Sequence, residues 1–320
     1  MRILTGVKPT GRPHLGNYFG SIKPSLELSK GRESFLFIAD LHALTTLKDG
    51  VVLREMVYDV AATWLALGLN PDEIVFYRQS DVPEISELNW ILSCYTAQGL
   101  LERAHAYKAA RDAGQEVNAG LYTYPVLMSA DILMFRSTHV PVGQDQRQHL
   151  EIARDIAQRF NHYHGEVLVL PDPIINDNVA VIPGLDGRKM SKSYDNTIPI
   201  FDSAKAIKEK VFSIVTDSTP LEEPKNPDAN VLFKMYQLLA GESDAADVRA
   251  KLEAGGYGWG HLKKAVHGVI MDGFADARAR YDHLMANRGE LDAIFAQGAV
   301  KARAEAARTL DDVKRAVGLL

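Results

Sequence analysis

Cysteine is almost missing from this chain of 320 residues: Cys94 stands alone. That excludes an intramolecular disulfide framework, a multi-cysteine zinc site and a cysteine-ligated iron–sulfur cluster, and it fits a reducing compartment. Long apolar runs are missing too, since no segment approaches the roughly 18 uninterrupted apolar residues of a membrane span. Met1 to Gly6 runs straight into a strand and a Gly/Pro loop without the apolar core of an export signal. The expectation is a cytoplasmic chain with no membrane partner. Nor is there a marked excess of one charge: 36 Lys+Arg face 41 Asp+Glu, a net of −5, so no global basic field draws the chain onto a polyanion and local patches must hold any that binds. Internal repeats and low-complexity segments are absent. What is present is 46% hydrophobic and 24% charged residues with ordinary Pro and Gly, enough for a substantial core and, at one domain per roughly 150 residues, about two domains.

Over the first 190 residues or so, short apolar runs alternate with longer amphipathic ones. The pattern predicts strands at 3–6, 35–40, 74–78, 139–143 and 167–170, and helices at 14–29, 52–68, 85–98, 122–135 and 145–160. The stretch 102–120, rich in Ala, Gly and charge, breaks the alternation and reads as inserted. Beyond Ser193 helical periodicity dominates, at 204–216, 231–241, 245–254, 262–286 and 291–317. The fold expected is α/β: a Rossmann-like, doubly wound parallel sheet over 1–193 with an insertion at about 101–136, followed by an all-helical domain over 194–320. Such sheets bind ligands at the carboxyl ends of their strands.

After the first strand comes Gly6-Val7-Lys8-Pro9-Thr10-Gly11-Arg12-Pro13-His14-Leu15-Gly16-Asn17. Pro13 suits the first helical position, because its missing N–H is unpaired there anyway, so the helix is expected to begin near His14. His14 and Asn17 then share a face of the first turn. The glycines let backbone approach a ligand, and the helix dipole favours an anion by roughly 0.3–1 kcal/mol. The loop matches neither the dinucleotide fingerprint nor the Walker lysine loop. By itself it is either a tight turn packed by its glycines or a phosphate site. Likewise Gly184-Leu185-Asp186-Gly187-Arg188-Lys189-Met190-Ser191-Lys192-Ser193 is either a solvated basic loop or a lid for an anion.

Together the two segments carry a resemblance. His14-Leu15-Gly16-Asn17 resembles the HIGH signature of class I aminoacyl-tRNA synthetases, preceded by the Thr-Gly pair common in their Trp and Tyr members. Lys189 to Ser193 is the KMSKS signature letter for letter, about 175 residues later. The resemblance implies ATP as substrate, accompanied by Mg²⁺, with His14, Asn17, Lys189 and Lys192 as catalytic donors. It implies a nucleotide site from Lys8, Pro9, Thr10, Gly16, Asn17, Met190, Ser191 and Ser193, with Ile182 near the adenine by position only. The chemistry agrees. An amino-acid carboxylate, with a reference pKa of about 3.5, attacks the α-phosphate of ATP without a general base, which leaves positioning and charge stabilisation to the protein. No nucleophile, base and orienter set is evident, and no resident metal site is expected.

In the helix from Tyr122 to Phe135, Tyr124, Met128 and Asp131 lie at i, i+4 and i+7 and line one stripe. Asp131 is the lone carboxylate of an apolar run. It either caps a loop or pairs with a cation such as Arg136, or it is the single acceptor of a flat apolar slot, which suits an indole, whose nitrogen only donates. The stretch resembles the tryptophan-recognition helix of the bacterial-type tryptophanyl-tRNA synthetases. The segment Val140-Pro141-Val142-Gly143-Gln144-Asp145-Gln146 is similar to a second motif of that family. By that resemblance Val140 and Val142 wall the indole pocket, Gln146 binds the polar end of the amino acid, Gly143 and Asp145 approach the ATP ribose, and Gln144 joins the nucleotide site. Alternating valines are also ordinary strand patterning, and Asp145 is also a candidate helix cap. His42 matches a pocket histidine of the family, though a loop histidine is more often structural. Leu4 stands where the tyrosine enzymes usually have a phenol-binding tyrosine. Lys8 departs from the Gln of many bacterial members, and a cation there suits a carboxylate or an α-phosphate.

The implied activity is formation of tryptophanyl-adenylate followed by acyl transfer to tRNA(Trp), by a homodimer whose carboxyl-terminal helices read the anticodon. In the last helix Lys301, Arg303, Arg308, Lys314 and Arg315 face Glu305, Asp311 and Asp312, an excess that a solvated surface explains as well. Leu88 to Cys94 is a candidate dimer helix, equally explained by burial. Three other readings stay open: a tyrosine enzyme, a small-molecule nucleotidyltransferase, and an inert paralogue that binds RNA or amino acid.

Overall fold

The apolar runs assemble into one sheet of five parallel strands in the order β3-β2-β1-β4-β5: β1 (Arg2–Val7), β2 (Glu33–Ile38), β3 (Ile74–Arg78), β4 (His139–Pro141) and β5 (Asp172–Ile174). The computed structural model describes residues 1–114, 117–143, 146–175 and 182–320. Because β1 pairs with β2 on one side and β4 on the other, the winding reverses at β1, the switch point at which open α/β sheets take their ligands. Phe35, Leu36, Phe37 and Ile38 of β2 are all buried, as a parallel sheet covered on both faces demands.

The fifth strand lies at Asp172–Ile174 rather than at 167–170. Val167 and Leu168 are apolar, but the Asn161 side chain occupies their backbone. Its Oδ1 accepts the N–H groups of Val167 (3.2 Å) and Leu168 (2.9 Å), and its Nδ2 donates to the Leu168 carbonyl (2.8 Å). With those groups satisfied by a side chain, the ladder forms further on, where Asp172 pairs with His139. β2 and β4 stop at Ile38 and Pro141, short of the expected 40 and 143. Pro13 sits outside the first helix: His14 is its N-cap, and α1 (Leu15–Asn17) runs through a π-helical turn, Tyr18–Ile22, into α2 (Lys23–Ser29).

On the sheet's flanks lie α3 (Asp40–Ala43), α4 (Gly50–Ala66), α5 (Glu84–Tyr95), α8 (Ala119–Met134) and α9 (Arg147–His164), with α6 (Gln98–Glu102) and α7 (His105–Asp112) in the inserted stretch. Side-chain caps mark several starts: Asp49 accepts from the N–H groups of Val51 and Val52, and Asn118 from that of Leu121. The later half holds α10 (Ala204–Ser213), α11 (Val231–Ala240), α12 (Glu242–Ala254), α13 (Trp259–Gly273), α14 (Ala275–Ala286) and α15 (Arg288–Ala316). The single helix expected at 262–286 is thus two, broken at Phe274. Phe274 leaves helical geometry and buries its ring edge-on to Tyr18, 5.1 Å between centroids.

The last helix returns to the sheet. β3 pairs only with β2, and α15 covers that otherwise open edge. Gly298 approaches so closely that a Cβ there would stand 1.7 Å from the Phe76 carbonyl oxygen. Phe295 joins the core on one face of the sheet, while Ala302, Ala306, Leu310 and Val313 join that on the other. Most of its cations are spent within the chain: Arg303 on Glu84 (3.0 Å), Lys314 on Glu87 (2.9 Å), Arg308 on Glu305 (3.4 Å) and Arg315 on Asp312 (3.6 Å). Among the described residues no helix is long and apolar enough to cross a membrane.

Candidate active site

Beyond the carboxyl end of β1, the two signature segments meet. The chain after the lysine loop pairs with the start of α1: the Leu15 N–H donates to the Ile198 carbonyl at 3.0 Å, and His14 forms an antiparallel bridge with Pro199. The Gly16 N–H donates to the Met190 Sδ at 3.3 Å. A Cβ on Gly16 would come within 3.0 Å of both the His14 ring and Met190, so glycine permits this approach. Asn17 accepts the His14 backbone N–H through its Oδ1 at 3.0 Å.

His14 is buried, and its Nδ1 has no hydrogen-bond partner among the described residues. A buried polar atom left so is costly, by about 1–3 kcal/mol, and marks a place for a missing partner. Burial, aided by the nearby Lys192 charge, lowers the His14 pKa to about 4, so at neutral pH it is an uncharged imidazole with one N–H to donate. The Lys192 Nζ donates to the Thr10 carbonyl at 2.9 Å, and desolvation lowers its pKa. Lys189, Ser193 and Thr10 are exposed, whereas Pro9 and Met190 are buried.

Asn196 holds the lysine loop in shape. Its Oδ1 accepts the Ser191 N–H at 2.7 Å, and its Nδ2 donates to Asp186 at 2.7 Å and to the Lys189 carbonyl at 3.2 Å. That bond, with those from Arg188, keeps the Asp186 carboxyl down at about 2. The Ser191 hydroxyl accepts the Ser193 N–H, and the Ile182 carbonyl accepts the Met190 N–H. Ile182 is 2% exposed.

A second cluster of expected site residues lies past β2 and β3. Asp131 of α8 is 1% exposed, and it does not pair with Arg136, which reaches Asp312 and Thr309 instead. Its Oδ2 accepts the His42 Nε2–H at 2.9 Å, and the Gln79 Nε2 donates to both of its oxygens at 2.8 and 2.9 Å. Burial raises the Asp131 pKa, and these bonds draw it back. Leu4 and Val140 are buried in the same apolar cluster, with Met128 and Val142 packed against it. Tyr124, whose hydroxyl burial pushes up to about 12, bonds the His149 Nε2, and the His149 Nδ1 lies 2.7 Å from the Gln146 Oε1. Since that amide oxygen only accepts, Nδ1 carries the proton and Nε2 accepts from Tyr124.

Lys8 is exposed, its Nζ 3.5 Å from the Thr45 hydroxyl, and desolvation lowers its pKa. Gly143 is exposed, and Gln144 and Asp145 lie outside the described residues. Gln79, Asn196 and His149 were not among the expected site residues. Gln79 alone carried a signal, as a polar residue directly after the end of β3, at the ligand-binding end of the sheet. The partners of Asn196 and His149 are remote in sequence or unremarkable in type.

Comparison with known proteins agrees with this arrangement. The family model for tRNA synthetases class I (W and Y) matches residues 1–275. A tryptophan–tRNA ligase of Rhodopirellula baltica is 50% identical over 319 residues, covering 100% of both chains. One of Neisseria meningitidis is 48% identical over 329 residues, covering 99% of this chain and 98% of its own. The crystal structure of tryptophanyl-tRNA synthetase from Campylobacter jejuni complexed with ADP and tryptophan superposes with a TM-score of 0.96 at 46% identity, covering 99% of this chain and 100% of that one. The chain therefore belongs to the class I tRNA synthetases of the tryptophan and tyrosine type, and within them to the bacterial tryptophan–tRNA ligases.

Proposed function

We propose that this enzyme activates L-tryptophan with ATP and passes the tryptophanyl group to the 3′-terminal ribose of tRNA(Trp), and that the residues described above do the work. A tryptophan carboxylate oxygen attacks the α-phosphorus, the bond to the bridging oxygen breaks, and pyrophosphate leaves; the terminal ribose hydroxyl then takes the acyl group and AMP departs. The observation that carries the reading is Asp131: an almost fully buried carboxylate on α8, whose apolar residues join the cluster that holds Leu4 and Val140, at the carboxyl end of the same sheet as His14 and Lys192. An acceptor so placed selects a ring that offers an N–H, and a site built around such a bond discriminates by roughly 10⁴-fold against a ring lacking it.

His14, uncharged at neutral pH, and Asn17 supply donors to the phosphates, while Lys189 and Lys192 neutralise the charge that develops on the leaving pyrophosphate. Thr10, Pro9, Gly16, Met190, Ser191 and Ser193 surround the nucleotide, with Gly143, Gln144 and Asp145 toward the ribose and Ile182 toward the adenine. Lys8 serves the carboxylate or the α-phosphate. Tyr124 and His149 orient Gln146 toward the polar end of tryptophan. Mg²⁺ would accompany ATP and would share with the cations of the signature segments the neutralisation of phosphate charge.

On the family's grounds the chain divides near 193/194, residues 194–320 serving anticodon recognition, and the enzyme is a cytoplasmic homodimer. Support for the dimer is Trp90, 71% exposed on α5, a large apolar surface to leave in water. The deciding experiment is amino-acid-dependent ATP–pyrophosphate exchange with tryptophan and tyrosine in parallel. Exchange with tryptophan alone is expected; exchange with tyrosine alone, or with neither, overturns the reading.

A further inference from the structure

Asp59 lies within α4, its side chain 13% exposed, and the chemistry above gives it nothing to do. Its Oδ1 accepts the hydroxyl of Tyr281 in α14 at 2.8 Å. Its Oδ2 stands 3.9 Å from the Arg12 guanidinium, which reaches Asp202 at the same distance. Burial raises the Asp59 pKa, opposed first by the Tyr281 hydrogen bond and then by the Arg12 and Lys192 charges, while desolvation lowers that of Lys192, opposed by Asp59. The link is short in space. Lys192 is hydrogen-bonded to the Thr10 carbonyl, and Gly11, at φ +89°, has its Cβ direction 3.5 Å from the Lys192 Nζ. Thus Thr10-Gly11-Arg12 carries Lys192 at one end and meets Asp59 at the other. Tyr281 joins Asp59 to the segment after the lysine loop. While its hydroxyl holds Asp59, its ring stacks on Phe201 at 4.6 Å, in the strand-like segment that pairs with Pro13 and Leu15 beyond the lysine loop.

We propose that Asp59 is a positioning residue for adenylate formation: in the substrate-free enzyme it faces Arg12, at the end of the loop whose Thr10 carbonyl holds Lys192, and the Tyr281 hydroxyl of the helical half fixes it there. The triphosphate and Asp59 then compete for the same cations. Ground-state ATP is bound less tightly than the cations alone would allow, and Lys192 transfers fully only when charge develops on the leaving pyrophosphate, so its interaction is reserved for the transition state. The helical half thereby acts on the lysine loop through one hydroxyl. This rests on the assignment of Lys192 to the leaving phosphates.

The test uses the full-length enzyme in tryptophan-dependent ATP–pyrophosphate exchange, with Asp59→Asn, Tyr281→Phe, Lys192→Ala and the Asp59→Asn/Lys192→Ala double variant. Asp59→Asn is expected to lower the KM for ATP on the order of 3- to 10-fold, the size of one partly screened charge interaction, and to lower kcat by a smaller factor, so that kcat/KM for ATP rises. Tyr281→Phe, which keeps the stacked ring, moves both in the same direction by less. The KM for tryptophan stays unchanged. In the Lys192→Ala background Asp59→Asn changes the ATP KM by less than in the wild type, because only Arg12 is left to compete for, a non-additivity that a merely structural role would not produce. An ATP KM that is unchanged or raised in Asp59→Asn overturns the proposal, as does an unfolded Asp59→Asn together with an unaltered ATP KM in Tyr281→Phe. Undiminished exchange by Lys192→Ala overturns instead the assignment on which it rests.

Discussion

The His42 Nε2 stands 2.9 Å from the Asp131 Oδ2 while the Gln79 amide spans both carboxylate oxygens. A carboxylate offers about four lone-pair directions; Gln79 uses two and His42 one, so one is left, as the proposed bond from the indole N–H requires. The acid is therefore both held still and still able to accept, which is how a buried charge in an apolar slot becomes a selective one.

Asp131→Asn turns part of this acceptor into a donor. The KM for tryptophan is expected to rise about 10²-fold or more, from loss of a bond at a site built for it, with the melting temperature nearly unchanged because a buried charge has been removed as well. Exchange kinetics and thermal melting check this together. An earlier melt with unaltered kcat/KM would assign Asp131 to the fold instead.

Gln79→Leu removes the amide but preserves bulk. Tryptophan kcat/KM should fall about tenfold, the weight of a hydrogen bond to a charged group. Gln79 draws the Asp131 pKa down against burial, so its loss moves that pKa further up, and the acid limb of kcat/KM for tryptophan shifts to higher pH. Two pH profiles, wild type and variant, settle the matter; coincident acid limbs would contradict the role.

His14 gives a pH signature of its own. Its pKa is about 4 in the folded chain against an ordinary 6.5, so between those values the unfolded chain binds more protons and stability rises with pH. The contribution is complete above pH 6.5 and is lost as pH falls through about 4. Melting temperatures from pH 7 to pH 4 should fall less steeply for His14→Asn than for wild type; parallel curves would refute the shift.

Gly298→Ala tests the return of α15. A methyl group 1.7 Å from the Phe76 carbonyl oxygen cannot be accommodated by a rotamer change, because backbone meets backbone. A loss of about 3 kcal/mol or more is expected, beyond the usual overpacking penalty, read by denaturant unfolding. A loss below about 1 kcal/mol would mean that the helix shifts freely on the edge of β3.

Patterning made the alternating half and the helical half legible, and where it erred the reasons were local. The apolar pair Val167 and Leu168 reads as strand until Asn161 is seen to satisfy its backbone, and 262–286 reads as one helix because periodicity carries across the break at Phe274. Asn196 and His149 stayed illegible although most of their partners lie within ten residues, because an asparagine in a loop and a histidine in a helix are unremarkable until their hydrogen bonds are seen.

By itself the amino-acid sequence determined the α/β class, the switch-point sheet, the two signature segments and one lone acid in an apolar helix, since these follow from periodicity, turn chemistry and residue type. Only the tertiary structure decided that Gln79 and His42 rather than Arg136 hold Asp131, that the last helix closes the edge of β3, and that Tyr281 from the helical half reaches Asp59 beside Arg12. Those are contacts between residues far apart in the chain, and what selects among such partners is which polar groups are buried together, a quantity that exists only once the chain is folded.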